Sequence, residues 1–358
     1  MAGRKAKHLE ICVRADEYEV ETGSTGFDQL RFAHRSLPEL NLDQIDTSTR
    51  FLDHSVPLPI FISSMTGGSA EGFRANKDLA RAANQAGIPV GMGSIRILFR
   101  TDEVFEHFHL KKIAPDVPVM ANIGGVQIRD LSHDALAEMV KRLEVDALVV
   151  HLNPGQELFQ PEGDRDFAGI RDAIRRFCDR RAIPVIVKET GFGIRPSEIA
   201  ALLDAGVRYV NVAGSGGTNW VKVEAHRMDD AQRAAAMEFD EWGLPTAVVL
   251  AACAHRFPDR VLSSGGLRNG LDVAKSIALG ATMAGMALPF IRAVTADGVD
   301  GVLALVERIH TVLRSAMLLS GAATIADLQR TPLMQSAPFR DSVSELLRVD
   351  TAASGENR

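Results

Sequence analysis

Eight short apolar runs rich in β-branched residues recur along the chain, and no other feature constrains the fold as tightly. They occupy residues 59–62, 88–92, 118–121, 147–151, 184–187, 209–212, 261–264 and 282–286. Each is followed by a glycine-rich or polar turn and then by a segment of helical periodicity. Strands that read as continuous apolar runs are buried on both faces, as parallel strands under crossover helices are. Eight such units in 358 residues predict an α/β fold of the (β/α)₈ TIM-barrel type, with a doubly wound sheet as the alternative. The barrel is favoured by the number of units and by where the unusual polar residues fall, which is directly after strands.

The units account for one domain over residues 1–350. Residues 1–50 precede the first strand as an N-terminal extension; they hold RKAKH at 4–8 and LRFAHRSLPE at 30–39, and read as able to close over a site. The interval 214–260 is too long for one loop and helix, so an insertion over the barrel mouth is expected after strand six. It should contain a helix over 229–239 and another starting near Pro245. Residues 351–358 are small and polar and predict a disordered tail.

Composition narrows the functional classes. No apolar run is long enough to span a bilayer and the basic N-terminus leads into no signal-like stretch, which predicts a cytoplasmic protein with no membrane partner. The three cysteines, Cys12, Cys178 and Cys253, are too scattered for a disulfide framework or a thiolate metal site. A net charge of −6 argues against a nucleic-acid surface, so an anionic ligand must be held by a local group of donors.

Such donors lie at the strand ends. Glycine loops at 264–270 and 285–290 follow strands seven and eight, where barrels commonly bind phosphate through backbone N–H groups and helix N-termini. The competing reading is that these glycines serve only tight turns. The loop 214–218 adds the Thr218 hydroxyl. Lys188 ends strand five, either to stabilise the anionic edge of a reduced flavin or to pair with Glu189 inside the mouth. Asn122 and Ser94 offer hydrogen bonds to a pyrimidine edge, and Met65 and Thr66 offer amides. Together they surround a flat, polar-edged, phosphorylated ligand, which describes FMN. After strand four, His151, Asn153, Gln156 and Glu157 fall within one turn, with His151 and Asn153 on the same side. Glu157 suits Mg²⁺, which takes one or two protein carboxylates, waters and a substrate phosphate; equally, it suits the first turn of the next helix.

The motifs RKAKH, MTGG after strand one, HLNPGQE after strand four, KETGFG after strand five, GGTNW after strand six and SGGLR after strand seven occur in this order. In this combination the chain resembles the type 2 isopentenyl-diphosphate isomerases over nearly its whole length. The resemblance implies interconversion of isopentenyl and dimethylallyl diphosphate with reduced FMN, Mg²⁺ and a reductant such as NADPH. It implies FMN contacts at Met65, Thr66, Gly67, Ser94, Asn122, Lys188, Thr218, Gly266, Leu267, Arg268, Ala287 and Leu288. Substrate would lie on Arg4, Lys5, Ser94, Ile95, Arg96 and Gln156, and the metal on Glu157. His151, Asn153, Trp220 and Glu224 fall at family active-site positions, with Gln156 oriented by Glu224. At Ala287-Leu288 many members carry a polar or basic pair, so only backbone contacts with a phosphate carry over. The family forms homo-oligomers, tetramers or octamers.

The main rival is an FMN-dependent 2-hydroxy-acid dehydrogenase or oxidase. That chemistry needs a base at the substrate α-carbon, a histidine after strand six, where this chain reads Gly214-Ser215-Gly216-Gly217-Thr218.

Overall fold

The computed structural model describes residues 2–65 and 70–355. Eight parallel strands close into a barrel: β1 (Ile60–Ile62), β2 (Val90–Ser94), β3 (Val119–Gly124), β4 (Ala147–His151), β5 (Val185–Lys188), β6 (Tyr209–Asn211), β7 (Val261–Ser263) and β8 (Met283–Met286). β8 pairs with β1, with Ala284 opposite Ile60, and this closes the ring. All eight expected runs are strands. Four of them begin just after a proline, at Ile60, Val90, Val119 and Val185, because Pro59, Pro89, Pro118 and Pro184 have no N–H to give the ladder.

Alternation along the strands sorts the barrel interior by height. At the N-terminal end, Phe61, Met120, Ala147, Val149, Ile186, Tyr209, Leu262 and Met283 form one apolar cluster. A hairpin outside the barrel, Thr49–Phe51 with His54–Val56, adds Phe51, Leu52 and Val56 to it. Phe51 is fully buried, stacked near-parallel on Phe61 at 6.2 Å and tilted against Tyr209 at 5.1 Å. Burying one such side chain contributes roughly 1.5–3 kcal/mol, so the hairpin is a firm plug. Further up, the inward positions turn polar: Ser63, Asn122, His151, Lys188 and Ser264 line the mouth.

The N-terminal extension is built from the helix Ala2–Val13 and the strand Leu30–Phe32, which pairs antiparallel with Leu333–Gln335 near the C-terminus. The insertion after β6 is present. It carries the helices Trp220–Ala225, Asp230–Met237 and Thr246–Cys253, of which the first was not expected. The C-terminal helix Ala337–Gly355 runs through residues 351–355, where a disordered tail was expected. Its anchor is Asp350, buried, accepting Ser197 N at 2.8 Å and Ser197 Oγ at 2.5 Å and so serving the start of the helix Pro196–Asp204. Among the described residues no helix is long and apolar enough to cross a membrane.

Candidate active site

The polar ends of the strands open into one cavity of about 290 Å³ at the barrel mouth. One side of it is mostly backbone. Gly265 and Gly266, with φ of 97° and 76°, turn the chain after β7 in a conformation that favours glycine. The helix Leu288–Ser320 starts at the cavity wall with Ala287 as its N-cap, and no side chain caps its amides. Unfilled N–H groups and a positive dipole end are what an anion needs. Ser63 Oγ is buried at the same mouth without a protein partner among the described residues.

Lys188 stands on the floor. Its Nζ donates to Glu189 O at 3.0 Å. The Glu189 carboxylate turns away to accept the N–H groups of Thr190 and Gly191 at 2.6 Å each, and that of Phe192. Contact between the two charges, the competing reading of Lys188, is therefore not made. Burial pushes the Lys188 ammonium down to about 8 and, despite the three N–H donors, the Glu189 carboxyl up to about 7. An ammonium held in so dry a place gains from any anionic group that arrives beside it. His151 Nδ1 lies 3.1 Å from Asn122 Oδ1, and burial, with Lys188 and Arg96 nearby, pushes its imidazole down to about 3. It is a neutral ring at physiological pH.

The opposite side is a chain of side chains. Asn153 Nδ2 donates to Gln156 Oε1 and Glu157 Oε1, each at 3.0 Å, and Gln156 Nε2 donates to Glu224 Oε1 at 3.0 Å. Glu224, fully buried behind the cavity, also meets His8 Nε2 at 3.1 Å and the Arg227 guanidinium. Burial alone would raise its carboxyl, but the close His8 ring, the hydrogen bond from Gln156 and the charge of Arg227 outweigh it and hold it below its ordinary value. The His8 ring packs edge-on to Trp220 with centroids 5.4 Å apart. Glu157 Oε2 accepts Asp164 N at 2.9 Å. Among the described residues no three His, Cys, Asp or Glu side chains cluster as a metal site.

Most of the residues singled out by sequence meet in this cavity. Met65, Ser94, Arg96, Asn122, His151, Asn153, Gln156, Glu157, Lys188, Thr218, Trp220, Gly266, Leu267, Arg268, Ala287 and Leu288 line it. Glu224 stands one layer behind. Ile95 does not line it: its side chain is fully buried in the core, turned in by the 3₁₀ turn Ile95–Phe99, and Ile97 faces the cavity instead. Thr66 and Gly67 lie outside the described residues. Arg4 and Lys5 lie on the helix Ala2–Val13, whose later residues His8, Leu9 and Cys12 line the cavity. Sequence reading missed His8 as a partner of Glu224, and also Ser63 and Gln127, which carry no motif.

The family described as FMN-dependent dehydrogenase matches residues 12–153 and 156–335. The isopentenyl-diphosphate delta-isomerase of Halobacterium salinarum is 42% identical over 349 residues, covering 96% of each chain. That of Borrelia garinii subsp. bavariensis is 41% identical over 333 residues, covering 93% of each. The chain belongs to the type 2, FMN-dependent isopentenyl-diphosphate isomerase family. Solved structures similar to this isomerase-family chain include the flavin-binding domain of baker's yeast flavocytochrome b2 (TM-score 0.69, 20% identical, 90% of this chain and 82% of that one). A putative lactate oxidase from Pediococcus acidilactici is also similar (TM-score 0.64, 18% identical, 92% and 94%). At these identities the likeness is one of fold. The isomerase-family chain carries no histidine in its loop 214–218, and the histidines on its cavity are His8 and His151.

Proposed function

We propose that this protein interconverts isopentenyl and dimethylallyl diphosphate, using reduced FMN and Mg²⁺ without net oxidation. One observation carries the reading beyond family membership: a single cavity has a mostly backbone-lined anion side, a half-buried lysine on its floor, and a facing side of neutral and carboxylate side chains. The residues present fit FMN. The uncapped helix start at Ala287, the glycine turn at Gly265-Gly266 and the orphaned Ser63 Oγ supply donors for a phosphorylated, polar-edged ring. When bound, reduced FMN supplies a group able to give a proton to the alkene and take one back.

The protein's own residues do the rest. Lys188 offers a positive charge to the anionic form of the cofactor. Gln156, held by Glu224 and Asn153, faces the substrate with a fixed amide, and the carboxylate of Glu224 favours positive charge developing in its vicinity. His151, bonded to Asn122, stands on the cavity wall as a neutral ring. Arg96 and, on the N-terminal helix, Arg4 and Lys5 would neutralise the diphosphate, and Glu157 would hold a Mg²⁺ that supplies further positive charge to it. Leu9 and Trp220 help to keep water from the reacting carbons. NADPH as reductant, a cytoplasmic setting and assembly into a tetramer or octamer complete the reading.

The test is stoichiometric. Protein loaded with FMN, reduced once under anaerobic conditions and given Mg²⁺, should convert isopentenyl diphosphate through many turnovers while the flavin stays reduced. In deuterated water the product should gain deuterium at carbon. One reductant consumed per product, or oxidation of a 2-hydroxy acid in place of isomerisation, overturns it.

A further inference from the structure

Three glycines beside the cavity are demanded by another part of the chain. A Cβ on Gly216 would come within 2.2 Å of Thr25 N, one on Gly266 within 2.3 Å of Thr25 Cγ2, and one on Gly217 within 2.6 Å of Gly266 Cα. Residues 20–25 of the N-terminal extension therefore pack directly on the loops that follow β6 and β7. Backbone hydrogen bonds run along the contact: Asn219 N to Val20 O at 2.7 Å, Thr22 N to Gly217 O at 3.4 Å and Ala247 N to Thr25 O at 2.9 Å. Glu21 forms an antiparallel bridge with Thr218. Its carboxylate then accepts a hydrogen bond from Arg268 Nη2, while Arg268 Nη1 donates to Leu267 O at 2.8 Å.

This strap is continuous with the helix that carries His8. The turn between them is tied down where His226 Nε2 meets Tyr18 O at 2.7 Å. One segment thus touches both sides of the cavity, His8 against Glu224 at one end and Glu21 against Arg268 at the other. A carboxylate near a phosphate site is unfavourable unless a cation stands between them. Arg268 lines the cavity, and a guanidinium has five N–H groups, enough to serve Glu21, its own loop and an incoming anion.

We infer that Glu21 is a positioning residue: by holding Arg268 it makes binding of the flavin phosphate and docking of residues 2–25 favour one another. The inference rests on the flavin reading above. Such coupling is reciprocal, so a docked strap raises flavin affinity by the same factor by which the flavin stabilises the strap.

Apoprotein is titrated with FMN and with riboflavin, which has the ring and lacks the phosphate. Flavin fluorescence reads affinity, and tryptic cleavage after Arg4, Lys5, Lys7 and Arg14 reads docking, because a docked helix is cut only when it opens. In the wild type FMN should slow cleavage roughly fivefold or more, and riboflavin less than about twofold. In Glu21→Gln, FMN affinity should fall roughly fivefold and the protection should be lost, whereas Glu21→Asp, which keeps the charge, should retain part of it. Arg268→Lys, which attacks the same joint from the other side, should also lose protection. Full protection in both Glu21→Gln and Arg268→Lys, or equal protection by riboflavin, overturns the inference. FMN bound by the wild type without protection overturns the coupling and leaves the flavin reading standing. A wild type that binds no FMN overturns the flavin reading, and this inference with it.

Discussion

The two sides of the cavity are made differently. Its anion side is backbone: the glycine turn at Gly265-Gly266 and the uncapped helix start at Ala287. The facing side is a series of side chains from His8 through Glu224, Gln156 and Asn153 to Glu157. A mostly backbone site tolerates change in many of the side chains that decorate it. The series has less tolerance, since it turns on the buried carboxylate of Glu224, and a gap beside that group leaves it unpaired in a dry place.

The sharpest way to break that contrast is Glu224→Gln. It keeps the volume and removes the charge that organises Gln156, so kcat should fall about 100-fold while FMN affinity stays within about twofold. Equal loss of flavin affinity would show that the two sides are not separable. His151 sits on their border, and its effect is one of pH. Its folded value of about 3 lies below the ordinary histidine value, so the unfolded chain binds more protons between the two. Stability is lost as pH falls below about 6.5, and this group accounts for about 2 kcal/mol by pH 5 in the flavin-free protein. Urea unfolding at pH 7 and pH 5 should therefore show a smaller acid loss in His151→Gln; an unchanged loss would place the burden on other groups. Smallest in scale is Glu157→Gln, which should raise the Mg²⁺ needed for half-maximal activity several-fold with little change in melting temperature. An unchanged metal requirement would return Glu157 to the role of a helix-terminus charge.

What was legible in the sequence follows the same division. The eight strands announced themselves because a strand buried on both faces must be apolar throughout, and the site followed because polar residues break that rule only at strand ends. The glycine loops were read as a phosphate cradle or as tight turns, and for Gly216, Gly217 and Gly266 a steric demand comes in part from Thr25 and the neighbouring loop. No local pattern encodes that. His8 and Glu224 are far apart in the chain, so their meeting at 3.1 Å was equally hidden. Ile95 follows Ser94 directly and was read as a neighbour of the ligand, but the tight turn after β2 sends it into the core. The plug hairpin and the pairing of Leu30–Phe32 with Leu333–Gln335 are non-local contacts of very short strands, which leave almost no periodicity to read.

The plug has a consequence for the order in which molecules come and go. Phe51, packed on Phe61 and Tyr209, fills the far end of the barrel, and the cavity lies at the strand ends. On the proposed reading, a flavin seated on the strand ends with the diphosphate above it would leave only through the mouth, so the last molecule in would be the first out. Saturating diphosphate should therefore slow flavin exchange, and the protein would retain its cofactor best when it is working hardest.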